Sequence, residues 1–317
     1  MKKESIDIIV PVYNEQECLD EVMNRLLGLR KKMDFLEIKY IFVNDGSKDD
    51  TSKIINTYAA KHKYIKLIEF SRNFGHQMAV TAGLDYSDAE FVAIIDADLQ
   101  DPPELLGRMF KLLKKGYDVV YGQREQRKGE TIFKKVTARW FYRIMNRICH
   151  VEIPLDTGDF RIMRKKVVLS LKSIREKHRF IRGLVPWVGF KSAPFLYTRE
   201  ERFAGETKYP FRKMLRFALD AIFSFTVVPL KIATYLGLFI VGIGLLGGLV
   251  VLYLKIFTNF NAPGITALRL TVLILGGIQI VMLGVMGEYV GRIFEEAKDR
   301  PLYIISNTKN IVQRKIG

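Results

Sequence analysis

Two carboxylates one residue apart, Asp96 and Asp98, stand at the end of the apolar run Phe91-Val92-Ala93-Ile94-Ile95 and precede Leu99-Gln100-Asp101-Pro102-Pro103. On an extended strand, residues i and i+2 point the same way. The pair can therefore converge on one hard divalent cation, Mg²⁺ or Mn²⁺, and on a pyrophosphate that it carries. That is the chemistry of a nucleotide-sugar site. Asp-x-Asp alone is common in surface turns, so its weight comes from its neighbours. Pro11-Val12-Tyr13-Asn14-Glu15 closes one apolar run, and Asn44-Asp45-Gly46-Ser47 closes another. Taken singly, Asp45-Gly46-Ser47 reads as a turn with a helix N-cap. Three acidic loops at successive strand ends read instead as a ligand-binding edge.

Those loops need a scaffold that gathers them. From residue 6 to about 122, strand-like runs (6–10, 38–43, 65–69, 91–96, 119–121) alternate with helical stretches. This predicts an α/β fold, a doubly wound and mainly parallel sheet. In such a sheet, ligands collect outside the C-terminal ends of the strands, where helix N-termini and free N–H groups meet. Gln100 falls on the face of Asp98 if the strand continues, which makes it a candidate contact to the sugar or to the cation's ligands.

Residues 131–149 carry apolar side chains at helical spacing opposite a basic stripe of Lys135, Arg139, Arg143 and Arg147. The pattern reads equally as a helix lying in a membrane interface or as an amphipathic helix packed on a soluble domain. A second such stretch spans 210–228. Residues 229–254 and 270–290 are nearly uncharged and reach the ~20 residues that cross a bilayer core. Arg212, Lys213, Arg216 and Lys231 precede the first span, and Arg292, Lys298 and Arg300 follow the second. The connecting loop offers only Lys255 and Arg269 nearby, so the positive-inside rule places both termini and the soluble part on the cytoplasmic side of the plasma membrane. The expected division is a nucleotide-sugar-binding half (1–130), an acceptor half with juxtamembrane helices (131–228), two transmembrane helices (229–292) and a cytoplasmic tail (293–317).

The 317 residues include 50 Lys+Arg against 34 Asp+Glu, a net charge of +16 that calls for an anionic partner. Cations clustered beside the spans favour the lipid bilayer, and the acidic loops argue against nucleic acid. Cys18 and Cys149 lie too far apart in sequence to suggest a disulfide framework or zinc pattern, which suits a reducing compartment. Met1-Lys2-Lys3-Glu4-Ser5 leads straight into a strand without the apolar core of a signal peptide.

Together, the motifs 11–15, 43–47, Ser71-Arg72-Asn73-Phe74-Gly75-His76, 96–104 and Thr157-Gly158-Asp159-Phe160-Arg161 resemble the polyprenyl-phosphate glycosyltransferases. These are inverting, GT-A-fold (Rossmann-like) relatives of dolichyl-phosphate mannose synthase, with a bacterial branch that has two membrane spans. The resemblance runs from about residue 6 to 303. It implies transfer of a sugar from a nucleotide sugar, a UDP-sugar such as UDP-glucose, to undecaprenyl or another polyprenyl phosphate for cell-envelope glycosylation.

The resemblance also assigns roles. Asp98, helped by Asp96, would hold the cation. Asp45 would meet the uracil or ribose, with Pro11, Tyr13 and Glu15 lining the nucleoside pocket. Asp159 would be the catalytic base. Since a phosphate monoester with a second pKa near ~6 is already largely dianionic at neutral pH, Asp159 can equally orient the attacking oxygen. Candidates for the acceptor phosphate are Arg124, Arg139, Arg161 and Arg202, because a planar guanidinium grips phosphate oxygens in pairs. A flippase and a transferase on the far face of the membrane would use the product. The glycine-rich spans and a strand-like tail at 302–305 are compatible with a homo-oligomer.

Two rival readings remain. A processive polysaccharide synthase carries Gln-x-x-Arg-Trp, whereas this chain has Val136-Thr137-Ala138-Arg139-Trp140 and two spans. A non-enzymatic basic membrane or nucleic-acid adaptor would have no need of the acidic loops.

Overall fold

Strands β1 (Glu4–Val12) and β2 (Leu36–Asn44) are buried along most of their length, as strands covered by helices on both faces must be. They lie in the middle of the sheet. The computed structural model describes residues 3–125, 154, 157–199, 226–257 and 265–311. After β1 and β2 come β3 (Ile65–Phe70), β4 (Phe91–Ile94), β5 (Val119–Arg124), β6 (Thr157–Arg164), β7 (Ser192–Tyr197) and β8 (Ile305–Lys309). The sheet order is β7-β5-β6-β4-β1-β2-β3-β8.

Strands β4, β1, β2 and β3 run parallel, β5 runs parallel to β7, and β6 lies antiparallel between β4 and β5. Because β6 runs the other way, its first residues, Thr157-Gly158-Asp159, arrive at the same edge as the last residues of its neighbours. That inversion brings Asp159 level with the loops after β4 and β5.

Helices α1 (Leu19–Lys32), α2 (Thr51–Lys61), α3 (His76–Asp85), α4 (Leu106–Leu113), α5 (Lys165–Ser173) and α6 (Ile181–Trp187) complete this unit. Helix α1 buries Leu19, Val22, Met23, Leu26 and Leu29, a stripe at three- and four-residue spacing that faces the sheet. The fold matches the mainly parallel α/β expectation, with β6 and β7 added beyond the strands that the sequence suggested.

The chain divides into two units, Met1–Tyr209 with Pro301–Gly317, and Pro210–Arg300. The tail pairs within the first unit. The expected strand at 302–305 forms later, at β8, antiparallel to β3. Tyr303 docks its side chain first: the ring stacks on Phe70 with centroids 5.1 Å apart, and the hydroxyl donates to Asp85 at 2.8 Å.

In the second unit, α7 (Val228–Phe257) has 30 residues and α8 (Ile265–Ala297) has 33, each long and apolar enough to cross a membrane. Leu238, Phe239, Ile280 and Val281 are exposed on them. Residues 131–149 and most of 210–228, with Arg139 and Arg202, lie outside the described residues.

Candidate active site

The loops after β1 and β2 are bound to each other by backbone N–H groups that donate to side-chain oxygens. The Asn14 N–H donates to Ser47 Oγ at 3.0 Å, the Lys48 N–H to Asn14 Oδ1 at 2.8 Å, and the Glu15 N–H to Thr51 Oγ1 at 3.0 Å. Pro11 is buried, Glu15 half-buried and Tyr13 exposed at the rim. Asp45 is buried and accepts the Phe74 N–H at 2.6 Å and the Gly75 N–H at 2.9 Å. Burial raises its pKa against the lowering effect of those two N–H groups and of the His76 and Arg72 charges.

Both Asp45 oxygens thus fasten the 71–75 loop, and any contact to a nucleoside would share them. Gly46 sits beneath this loop with φ +69°, and a Cβ there would come 2.5 Å from the Arg72 carbonyl carbon. Only glycine allows that approach.

The regular pairing of β4 stops at Ile94, so Asp96 and Asp98 are placed by a turn and not by strand alternation. Leu99 adopts φ +58°, and the Gln100 N–H donates to Asp98 Oδ1 at 3.2 Å. The strand therefore does not continue through Gln100, and the condition that would put Gln100 on the face of Asp98 is not met. The left-handed conformation at Leu99 reverses the chain there, and the buried Leu99 side chain anchors the turn.

Asp96 Oδ1 is buried and has no hydrogen-bond partner; the His76 Nε2 lies 3.6 Å away. Burial pushes Asp96 up to about 6; His76 opposes this and the charges of Asp159, Asp101 and Asp98 add to it. A bare carboxylate oxygen next to a second carboxylate suits a hard divalent cation. Among the described residues, no three metal-ligating side chains converge.

Asp159 is fully buried at the start of β6. Arg182, from α6, donates through Nε to Oδ1 at 3.1 Å and through Nη2 to Oδ2 at 2.9 Å. His76 Nε2 lies 3.1 Å from Oδ2, and Gln77 Nε2 donates to the same oxygen at 3.5 Å. Burial alone would raise the Asp159 pKa, but the Arg182 charge and the His76 contact hold the carboxyl well below the usual range. For His76, burial acts downward and is outweighed by the Asp159 hydrogen bond and the Asp96 and Asp159 charges, leaving it up at about 9.

Such a carboxylate is a weak proton acceptor and a strong anchor for cations. Arg161 is turned inward. It donates to the Gly158 carbonyl at 3.0 Å and the Asp159 carbonyl at 3.3 Å, and burial lowers its pKa to about 10.

On the far side of Asp98, Arg124 ends β5 with its Nη2 3.8 Å from Asp101 Oδ1, and its Nε donates to the Tyr197 hydroxyl at 3.5 Å. The Tyr197 hydroxyl in turn donates to Asp101. The structure thus brings Asp96, Asp98, Asp159 and Arg124 to one edge. It adds His76, Gln77, Arg182, Tyr197 and Arg199, none of which sequence reasoning selected. His76 lies inside a motif already singled out, directly after Gly75, and that position was the available signal.

Residues 7–171 match the family described as Glycosyl transferase family 2. The chain is 49% identical over 311 residues to the uncharacterized glycosyltransferase YkcC of Bacillus subtilis, covering 98% of this chain and 95% of that protein. It is 38% identical over 305 residues to the bactoprenol glucosyl transferase of Shigella phage SfV, covering 96% and 99%. The same identity, length and coverage relate it to the prophage bactoprenol glucosyl transferase homolog of Escherichia coli K12.

Proposed function

This chain belongs to glycosyl transferase family 2, and on that premise we propose that it moves a glucosyl group from UDP-glucose to the phosphate of a membrane polyprenol such as undecaprenol. Full-length similarity to proteins named bactoprenol glucosyl transferase supports the acceptor and the sugar.

The observation that carries the reading is the order of groups along one sheet edge. Loops suited to a nucleoside follow β1, β2 and β3. Asp96 and Asp98 follow β4, Asp159 opens β6, and Arg124 closes β5. A donor laid along this edge places its pyrophosphate at the carboxylate pair and its anomeric carbon near Asp159.

Asp98 and Asp96 would hold a Mg²⁺ or Mn²⁺ ion, whose role is to neutralise the charge on the leaving nucleoside diphosphate. A phosphate oxygen of the acceptor attacks the anomeric carbon as the bond to the nucleoside diphosphate breaks, and the configuration inverts. The attacking phosphate is already dianionic near neutral pH, so no base is required. Asp159 acts by fixing Arg182 and His76 at the reacting centre, and Arg161 shapes the turn beneath it. The soluble unit faces the cytoplasm, with both termini on that side.

The test is transfer of radiolabel from a panel of UDP- and GDP-sugars to undecaprenyl phosphate in detergent, with Mg²⁺, with EDTA and with Asp98→Ala. A lipid-soluble product from UDP-glucose that vanishes in EDTA and in the variant is expected. Nucleotide binding with no labelled lipid from any donor would reject the acceptor.

A further inference from the structure

Arg199, two residues past β7, is assigned by none of the motifs or relatives above. Its Nε is buried without a hydrogen-bond partner. The guanidinium stands 3.9 Å from Asp98 Oδ2 and 3.8 Å from Asp101 Oδ1, close enough for attraction and too far for hydrogen bonds. Arg124 approaches the same Asp101 oxygen at 3.8 Å. Asp101 itself is buried, and its second oxygen has no hydrogen-bond partner.

Two guanidiniums are thus drawn toward one buried carboxylate that satisfies neither. Room for this arrangement is built into the backbone: a Cβ at Gly158 would lie 2.9 Å from Arg124 Nη2 and 3.5 Å from Asp101 Oδ2. A dianion with oxygens to share would complete the donors of both arginines in the paired geometry that guanidinium favours.

Position along the sheet selects the source of that dianion. The nucleoside loops follow β1, β2 and β3, while Arg124 and Arg199 follow β5 and β7, on the opposite side of Asp96 and Asp98. We propose that Arg199, together with Arg124, grips the phosphate of the polyprenyl acceptor, with Asp101 as the counter-ion that spaces the two guanidiniums. The inference rests on the lipid-phosphate reading above and assigns to that reaction a residue outside its motifs.

The test is equilibrium binding, so that it does not depend on turnover. Full-length protein in detergent is titrated with farnesyl phosphate, with farnesol, and with UDP plus Mn²⁺. The comparison is wild type against Arg199→Met and Arg199→Lys. The expected result is selective binding of the phosphate over the alcohol, weakened about 10- to 100-fold by Arg199→Met, the worth of a charge-assisted hydrogen bond, and less by Arg199→Lys. UDP affinity should stay within about twofold, which also reports an intact fold.

Equal binding of phosphate and alcohol by the wild type overturns the proposal. So does unchanged farnesyl phosphate affinity in Arg199→Met, or a parallel loss of UDP binding in both variants, which would move Arg199 to the donor side. Selective phosphate binding without glucosyl transfer would leave Arg199 in place and remove the reaction instead.

Discussion

The two sides of the carboxylate pair are built on different principles. Toward β1, β2 and β3, polar groups are satisfied mainly by backbone N–H groups of nearby loops, as when Phe74 and Gly75 donate to Asp45. Toward β6, β5 and β7, charged side chains meet one another, as when Arg182 clasps Asp159 and Arg124 and Arg199 flank Asp101. The first side is fixed by backbone geometry and the second by charge balance. A backbone-built pocket should tolerate changes of charge and fail on changes of shape. A charge-built pocket should do the reverse.

The largest expected effect is at Asp159. Replacement by Asn keeps the shape, removes the anion and leaves the buried Arg161 and the Arg182 guanidinium without their counter-ion. A loss of about 3–5 kcal/mol is expected for breaking such a buried pair. Melting temperature should fall together with kcat, and an unchanged melting temperature would refute the anchoring role.

Gly46→Ala comes next. Its Cβ meets backbone 2.5 Å away at a positive φ, so the 44–47 and 71–75 loops must separate. We expect a loss of about 1–3 kcal/mol in stability and weaker UDP binding, both read by calorimetry.

Gly158→Ala should be milder and fall on the other side. Its Cβ meets the end of the Arg124 side chain, which can move. KM for the lipid acceptor should rise while UDP affinity holds. Equal damage to donor binding would erase the distinction between the two sides.

The smallest effect is in pH dependence. The folded-state pKa of Asp159 lies below its unfolded value, so its contribution to stability is present above about pH 4 and is lost as pH falls further. His76 runs the opposite way: its folded pKa of about 9 exceeds 6.5, so its contribution is complete below pH 6.5 and fades as pH rises through 9. Thermal melts from pH 3 to 10 should lose the acid limb in Asp159→Asn and the alkaline limb in His76→Gln.

The same contrast explains what could be read in advance. Apolar runs ending in Asp45 or Asp96 mark strand ends locally, so the alternating α/β plan and the acidic edge were legible. Arg182 and Arg199 were not, because their partners lie 23 and about 100 residues away along the chain. The meeting depends on β6 inserting antiparallel and β7 joining an edge. Helix α6, seven residues long with Pro186 inside it, gives no usable periodicity. The end of the strand before Gln100 was hidden for a related reason: nothing in Asp-Leu-Gln announces that a leucine will adopt a positive φ.

The last strand carries a consequence for anyone wishing to handle the catalytic half in water. Since β8 comes after α8 in the chain and pairs with β3, the apolar hairpin is an excursion from within one continuous sheet and not an appendage to it. Cutting the gene ahead of α7 would therefore strip the cover from β3 and bare a row of unpaired amides, a template for edge-to-edge aggregation. A water-soluble version has to splice around the hairpin and retain Tyr303 and the five residues of β8.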